Sequence, residues 1–567
     1  MRTWDEERRE SLGWMVLIAV LVAALYGRTV GFPFSVLDDI PYLVENPLVS
    51  SPDHVAWSDR LLTPNEGYMI PISVGTWAAL FHLGHGNPWI FHLFSVLLHA
   101  LFVIQLFLLA LHVTRNRMMS GILSTLFAVH PLVVEPVAWV TGSKDLLMAN
   151  LALAATRLFV HGLDREGPEG RRRLVLASVL AMLSILSKPG SVLLGWVWVA
   201  YVLSIRVLRR PAARSGEITA WVTAVLGLVL GGLSWIVRHH AFGDNPDLVG
   251  FGDFPFWFCL GHQVRHLLFP MSLHPLYAID PRVGFGDPKA WLGLAAFGVW
   301  GGLAWRARRL PAVFLGLVLA AGLYLPVSNL IPFSRKVADS YLYLPLAGLL
   351  LAAGSYGAIL AERFGMKAMM KNLVLLSGAA LALGLAGLSY QQVGRWREGR
   401  ALWQPVIDEY PDWDRGYSIL AGSLMLQGKD AEAARLYETA FRLGYRSKVL
   451  SDFGVALVGA GRLDEAECVL TEAVSYGDRR DRALFNYAVL LGSWPGRPPV
   501  YPETAALLVP EILDRMASGS LRSEPRLRKG LMKQLERLGP PQAAKPWPRA
   551  NCPILRTRIQ GGVLHGS

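Results

Sequence analysis

Long apolar segments that are almost free of Asp, Glu, Lys and Arg most constrain how this chain can fold. A helix needs about 20 apolar residues to cross the hydrocarbon core of a bilayer. The segments predict eleven membrane-spanning helices, and several need flanking residues to reach full length. They are Ser11–Tyr26, Trp89–Val113, Met118–Val134, Leu146–Val160, Leu174–Leu186, Val192–Ile205, Ile218–Val237, Ala290–Trp305, Ala312–Ile331, Tyr341–Ala361 and Leu373–Tyr390.

The composition supports a membrane protein and argues against an ordinary soluble enzyme. Hydrophobic residues make up 53% of the 567 residues, charged residues only 17%, and the mean hydropathy is +0.35. Lys and Arg concentrate in every second segment between the spans, which predicts a cytoplasmic N-terminus by the positive-inside rule. The net charge of +12 is therefore a topology signal, and no nucleic-acid partner is expected.

Two shorter apolar stretches, Met69–His82 and Phe254–Met271, predict half-length helices near a site, because such elements persist only where protein or a wet cavity covers them.

A repeat with an offset of 33 residues marks the chain after Tyr390. Small residues and glycines recur at the spacing of two helices joined by a short turn, which is typical of tetratricopeptide repeats. A generic pair of helical hairpins is the alternative. The sequence thus predicts a membrane domain over 1–390, a repeat domain over 391–538 and a disordered Pro-rich tail over 539–567. The recurring positions are Leu420, Ala421, Gly428, Ala433, Tyr437 and Ala440, followed by Phe453, Gly454, Gly461, Ala466, Leu470 and Ala473.

An adjacent acidic pair, Asp38 and Asp39, follows the first predicted span on the predicted exterior side. Two carboxylates at a membrane surface can bind a metal or supply a general base. A solvated turn before Pro41 is the structural alternative.

Five motifs in a fixed order resemble the C-type (GT-C) glycosyltransferases. The similarity is to the transmembrane and tetratricopeptide-repeat O-mannosyltransferases and their bacterial relatives, and it covers roughly 30–490. The motifs are the Asp38-Asp39 loop with Tyr42 and Asn46-Pro47, the stretch from Tyr68 to His99, LFAVHPLVVEPVAWVTGSKDLL, LSKPG at Leu186–Gly190, and VADSYLYLPLAG at Val337–Gly348.

The resemblance implies an all-α membrane bundle followed by a short α-solenoid. It also implies transfer of a sugar, typically mannose, from a polyprenyl-phosphate donor to a hydroxyl acceptor, often on a protein. Membrane lipid, the lipid-linked sugar and an acceptor protein or glycan are the expected partners, with the repeats as a possible acceptor surface. No cofactor is expected, although paired carboxylates can hold a divalent metal.

The expected catalytic residues are Asp39, Asp38 and Glu135, with Asp39 favoured as the base. The leaving phosphate needs cations, and the positive-inside rule makes exterior cations unusual enough to require a reason. The expected phosphate-binding residues are Lys144, Arg265, Arg335, Lys336 and His130.

The chain departs from the family at two positions. Ser143 and Ser340 stand where relatives carry Arg, and Lys is not an equivalent phosphate ligand. Either Arg335 and Lys336 compensate, or the donor differs, or catalysis is lost. A non-catalytic membrane-anchored repeat scaffold and a lipid-linked glycan ligase or polymerase are therefore the alternatives, and a transporter is the weakest of the four hypotheses. The high Arg content favours a bacterial cytoplasmic membrane with the repeats in the periplasm.

Overall fold

The computed structural model describes residues 4–51, 56, 58–59, 63–65, 68–165, 167–208, 214–242, 256–279, 284–330, 335–444, 447–475, 480–494, 497–518, 521 and 525–538. Within these ranges the regular elements are helices, as predicted, and one isolated bridge joins Asn65 to Tyr68. The chain divides into two compact units, after Glu398. The predicted tail over 539–567 lies outside the described residues.

The first unit is a bundle of apolar helices. Its α-helices are α1 (Trp4–Tyr26), α2 (Pro47–Ser50), α3 (Pro71–Leu83), α4 (Pro88–Thr114), α5 (Arg117–Ala128), α6 (Val134–Ala138), α7 (Ser143–Leu163), α8 (Gly167–Ser187), α9 (Leu194–Val207), α10 (Arg214–Phe242), α11 (Phe256–Leu268), α12 (Pro288–Ala307), α13 (Pro311–Tyr324), α14 (Tyr343–Arg363) and α15 (Ala368–Arg395).

Each of the eleven predicted spans falls on one or more of these helices. In the described ranges, seven helical segments are long and apolar enough to cross a membrane, and an eighth is a bent pair. The bent pair is α5 with the segment Pro131–Ala138, which turns by 59° where one straight span was expected. Pro131 explains the break, because proline cannot donate the backbone hydrogen bond that a continuous helix needs. The three remaining predicted spans, on α8, α12 and α13, stay predictions.

The two shorter apolar stretches are helical, as predicted. The first forms α3 and the second forms α11, each of 13 residues. Both are too short to cross a bilayer. Their depth in the membrane stays a prediction.

Small residues let α13 and α14 cross closely. A Cβ on Gly316 would lie 2.5 Å from the Ala352 nitrogen, and one on Gly348 would lie 2.6 Å from the Ala320 nitrogen. Packing between membrane helices favours such contacts, because lipid offers no hydrophobic drive for association. The crossing fixes the start of α14, where the VADSYLYLPLAG motif lies.

The second unit consists of successive helical hairpins. Gly428 and Gly461 occupy equivalent turns with φ of +71° and +75°, which is the left-handed region that favours glycine. The recurring positions Ala433 and Ala466 are both fully buried, as are Phe453 and Leu470. The 33-residue period is thus a structural period, and its interpretation as tetratricopeptide repeats stays a prediction. The helices are α16 (Gly399–Glu409), α17 (Asp414–Met425), α18 (Asp430–Leu443), α19 (Ser447–Gly459), α20 (Leu463–Ser475), α21 (Arg480–Ser493), α22 (Pro502–Ala517) and α23 (Pro525–Leu538).

Candidate functional site

Asp39 joins the loop after α1 to the turn before α7. One carboxylate oxygen accepts the Ser35 N–H at 2.8 Å, and the other accepts the Thr141 N–H at 3.0 Å. The side chain is 1% exposed. Burial raises the pKa of Asp39 to about 6, although the hydrogen bonds from Ser35 and Thr141 oppose the rise. Asp39 is therefore a positioned carboxylate that holds two distant segments together.

Asp38 has a different environment from its neighbour. It is half-buried, and its carboxylate makes no hydrogen bond or ion pair with the residues that the structure describes. Among nearby charges it exerts the strongest attraction on the Lys144 ammonium, and it also acts on the Tyr68 hydroxyl. Asp38 thus has oxygens available to a ligand.

Lys144 lies in the first turn of α7 inside an aromatic cage. Its ammonium nitrogen is 4.8 Å from the ring centroid of Tyr42, 5.3 Å from that of Trp139 and 5.9 Å from that of Trp77. Rings at these distances stabilise a cation without neutralising it. Within the described part of the chain, no carboxylate lies within ion-pair distance of Lys144, so the charge remains available to an anion.

The turn before Lys144 is unusually tight. Gly142 lies against Pro136, where a Cβ would be 2.9 Å from the Pro136 Cα. Ser143, the first departure from the family, accepts a hydrogen bond from the indole N–H of Trp77 at 2.9 Å. Ser143 therefore positions a wall of the cage around Lys144 and cannot replace a guanidinium charge.

Glu135 and Arg335 form a two-pronged ion pair. The distances are 2.8 Å from Nη1 to Oε1 and 3.0 Å from Nη2 to Oε2. Arg335 also donates to the Pro275 carbonyl, and its guanidinium carbon lies 5.7 Å from the centroid of the Trp139 ring. Trp139 thus brings two predicted site cations, Arg335 and Lys144, to one indole.

A second ion pair joins the LSKPG motif to the start of α7. Lys188, from LSKPG, pairs with Asp145 in the first turn of α7, and its ammonium nitrogen lies 5.8 Å from the ring centroid of Tyr341. The Tyr341 hydroxyl donates to the Arg335 carbonyl at 2.9 Å. Asp145, Lys188, Ser340 and Tyr341 line one cavity. Ser340, the second departure, also lies within hydrogen-bonding reach of Glu135.

The structure therefore brings together most of the predicted site residues, although these motifs lie far apart in the chain. Asp38, Asp39, Glu135, Lys144 and Arg335 surround the turn before α7. The site lies at one end of the bundle, where α1 and α8 end and where α7 and α14 begin.

The remaining three predicted phosphate ligands are His130, Arg265 and Lys336. The ring of His130 accepts the Leu132 N–H at 3.2 Å and caps the short helix Pro131–Val133, which is a structural role. Arg265, on α11, makes no ion pair or side-chain hydrogen bond within the described ranges. The Lys336 carbonyl accepts a hydrogen bond from Asn329, and its side chain acts electrostatically on Cys259.

Sequence reasoning missed several residues around this site. Trp77 and Trp139 form walls of the cage, and Lys188 and Asp145 form an ion pair. Their positions inside the family-like motifs were the available signal. Asp339 accepts a hydrogen bond from Tyr277 at 2.6 Å, and neither residue was selected as a site residue.

The described residues contain no group of three or more His, Cys, Asp or Glu side chains arranged to hold a metal ion. Whether the carboxylate pair takes a metal stays a prediction.

Comparison with known proteins gives relatives of one kind. A Caenorhabditis elegans protein O-mannosyl-transferase is 24% identical over 471 residues, which cover 77% of this chain and 64% of that protein. The human protein O-mannosyl-transferase TMTC1 is 29% identical over 163 residues, or 27% of this chain and 18% of the relative. Its mouse counterpart is 30% identical over 164 residues, or 27% of this chain and 17% of the relative.

The chain resembles protein O-mannosyl-transferases. This similarity, at modest identity, confirms the resemblance that the motifs predicted. The chain spans less than two thirds of the length of each of these three relatives. No family model matches the chain.

Proposed function

We propose that the chain is a membrane glycosyltransferase that moves a sugar, typically mannose, from a polyprenyl-phosphate donor to a hydroxyl acceptor. The observation that carries this proposal is the aromatic cage that holds the Lys144 ammonium at the start of α7, with Asp38 as the nearby charge that attracts it most strongly. In this arrangement a carboxylate can take the proton of the acceptor hydroxyl, and a cation can stabilise the leaving phosphate. The similarity to proteins named protein O-mannosyl-transferases supports the choice of sugar and acceptor.

The reaction is a displacement at the anomeric carbon. The acceptor hydroxyl gives its proton to a carboxylate, its oxygen bonds to the anomeric carbon, and the bond from that carbon to the phosphate oxygen breaks. The polyprenyl phosphate leaves with one more negative charge. Lys144 and the positive end of the α7 dipole stabilise that charge as it develops.

Asp38 fits the role of base better than Asp39, which the sequence had favoured. Both oxygens of Asp39 already accept backbone N–H groups, and the side chain is almost completely buried. Asp38 is more accessible and is the strongest attractive charge on Lys144. In this proposal Asp39 positions the loop and Asp38 accepts the proton.

Arg335 is the residue that compensates for Ser340 in this proposal. It supplies a guanidinium beside Glu135, near the position where relatives carry Arg. Its charge is balanced by Glu135, so it orients the site, and Lys144 remains the principal phosphate ligand.

The non-catalytic scaffold is the second candidate. It is favoured by the hydrogen bond from Trp77 to Ser143, which gives that serine a structural role where relatives carry a charge. A lipid-linked glycan ligase or polymerase shares the same donor chemistry and differs in its acceptor.

The cellular setting follows from the charge pattern of the sequence. A cytoplasmic N-terminus places Asp38 and Lys144 on the exterior face of a cytoplasmic membrane, with the helical repeats outside. In this proposal the repeats bind the acceptor.

The test offers the purified chain in lipid nanodiscs a radiolabelled polyprenyl-phosphate-mannose and two acceptors, a Ser/Thr-rich peptide and an oligosaccharide. Labelled peptide supports the proposal, and labelled oligosaccharide alone supports the ligase or polymerase. If neither acceptor is labelled with mannose or with a panel of other lipid-linked sugars, the scaffold is correct.

A further inference from the structure

The end of α10 brings a cation to the edge of the site from an unrelated part of the chain. The Arg238 guanidinium carbon lies 5.3 Å from the ring centroid of Tyr68, in the loop before α3. The positive-inside rule disfavours a cation on the predicted exterior side. Arg238 therefore calls for a functional reason.

The same turn of α10 faces outward. Trp235 and Ile236 are 50% and 46% exposed, and the ring of His239 stacks on that of Trp235 at 5.3 Å. In a membrane helix this surface contacts lipid, and Trp is enriched at the depth of the headgroups. Arg238 is thus expected at the headgroup depth, where the phosphate of a lipid lies.

Tyr68 connects this edge to the proposed catalytic residues. Arg238 and Asp38 both act electrostatically on its hydroxyl, and Tyr68 in turn acts on Tyr341. Tyr341 contacts Lys188 and donates to the Arg335 carbonyl. Tyr68 is therefore within electrostatic range of both Arg238 on α10 and Tyr341 in the site.

We propose that Arg238 and Tyr68 form an entrance site that binds the phosphate of a polyprenyl-phosphate lipid before it reaches Lys144. The guanidinium binds the two non-bridging phosphate oxygens at once, and the Tyr68 hydroxyl donates to one of them. The polyprenyl chain stays in the bilayer against the exposed face of α10. The inference rests on the proposed function for its choice of lipid, and anionic phospholipids present the same phosphate chemistry.

The experiment measures binding, which does not require transfer. The full chain in nanodiscs is titrated with polyprenyl phosphate, with neutral polyprenol and with phosphatidylglycerol, and the lipid bound is counted by native mass spectrometry. Arg238→Ala is compared with the native chain and with Arg308→Ala. Arg308 is a matched control, because it lies in a similar cation–π contact with Trp305, at 3.6 Å, outside this site.

Arg238→Ala is expected to weaken polyprenyl phosphate binding by about tenfold or more, because a charge-assisted contact is lost. Arg308→Ala should bind polyprenyl phosphate as the native chain does. The binding of neutral polyprenol should be the same for the native chain and for Arg238→Ala. Tyr68→Phe, which keeps the ring, should give a smaller loss of the same selectivity. Unchanged binding by a folded Arg238→Ala chain overturns the inference, and so does an equal loss for phosphatidylglycerol.

A kinetic readout separates this inference from the proposed function. If the native chain transfers sugar, Arg238→Ala should raise the donor KM and leave kcat nearly unchanged. Transfer with an unchanged donor KM would overturn the entrance site and leave the transferase intact. Binding loss in a chain that transfers nothing would support the entrance site and count against the transferase.

Discussion

Glu135 and Arg335 lie 200 positions apart and meet in a two-pronged ion pair, with Glu135 only 2% exposed. The pair fastens the loop before α14 to the short helix α6, next to the turn that holds Lys144. Its position explains how one bundle end unites motifs from distant parts of the chain.

Arg335→Ala should destabilise the first unit by about 3–5 kcal/mol, because it leaves a buried carboxylate without its partner. Removal of both partners should cost less than the sum of the single changes. Thermal unfolding in detergent, run as a double-mutant cycle, measures the coupling. Additive effects of the two single substitutions would show that the pair is not formed.

Asp39→Asn should change how stability depends on pH. The pKa of Asp39 is about 6 in the folded chain, whereas the ordinary pKa of an aspartate is 3.8. The folded chain therefore holds this proton to higher pH than the unfolded chain, and native stability falls as pH rises from about 4 to 6. Asn does not ionise, so the stability of the variant relative to the native chain should rise over this window, by up to about 3 kcal/mol. Melting temperatures at pH 4.5 and pH 7.5 test the sign. An Asp39→Asn chain whose stability tracks that of the native chain at both pH values would contradict the buried environment assigned to Asp39.

Lys144→Ala should raise the donor KM and lower kcat, because the cation meets the phosphate in both the bound and the transition state. Trp77→Phe keeps a ring in the cage but removes the hydrogen bond to Ser143 and part of a buried indole, so it should cost about 1–3 kcal/mol of stability with little effect on donor KM. Steady-state kinetics with the lipid-linked donor separate the two variants. Equal effects of both variants on KM would mean that the cage, and not the charge, binds the donor.

Glu467 is the buried anchor of the second unit. It accepts the backbone N–H groups of Val500 and Tyr501 and pairs with Arg497 at 2.9 Å. Glu467→Ala should destabilise this unit by about 3–5 kcal/mol. The matched control is Asp464→Ala, since Asp464 pairs with the same arginine but is 79% exposed and should contribute about 0–1 kcal/mol. Limited proteolysis of the full chain measures the destabilisation caused by each substitution. Equal cleavage rates for the two variants would refute the role of burial.

Much of the fold could be predicted from the sequence, because apolar segments and a 33-residue period are local patterns. The bend at Pro131 was missed, since an apolar segment does not show whether its backbone stays straight. The site was predicted only in part. Glu135 was selected from a family-like motif and Arg335 as an exterior cation, but no local pattern could pair side chains 200 positions apart.

Burial explains the remaining differences. The acidic pair looks symmetric in the sequence, and only the packing against Thr141 shows that Asp39 is enclosed while Asp38 is accessible. The ring of His130 caps the next short helix through Nδ1, and its role as a phosphate ligand stays a prediction. Lys188 and Arg238 depend on contacts between helices that no single segment reveals.

The most direct measurement of the central claim compares sugar transfer by the native chain with that of Asp38→Asn, at equal expression in the same membranes. The label is polyprenyl-phosphate-mannose, and Arg308→Ala serves as a control outside the site. The account predicts that the native chain and the control label an acceptor, whereas Asp38→Asn loses about 10²-fold or more of the rate because its base is gone. Equal transfer by Asp38→Asn and the native chain would contradict the account.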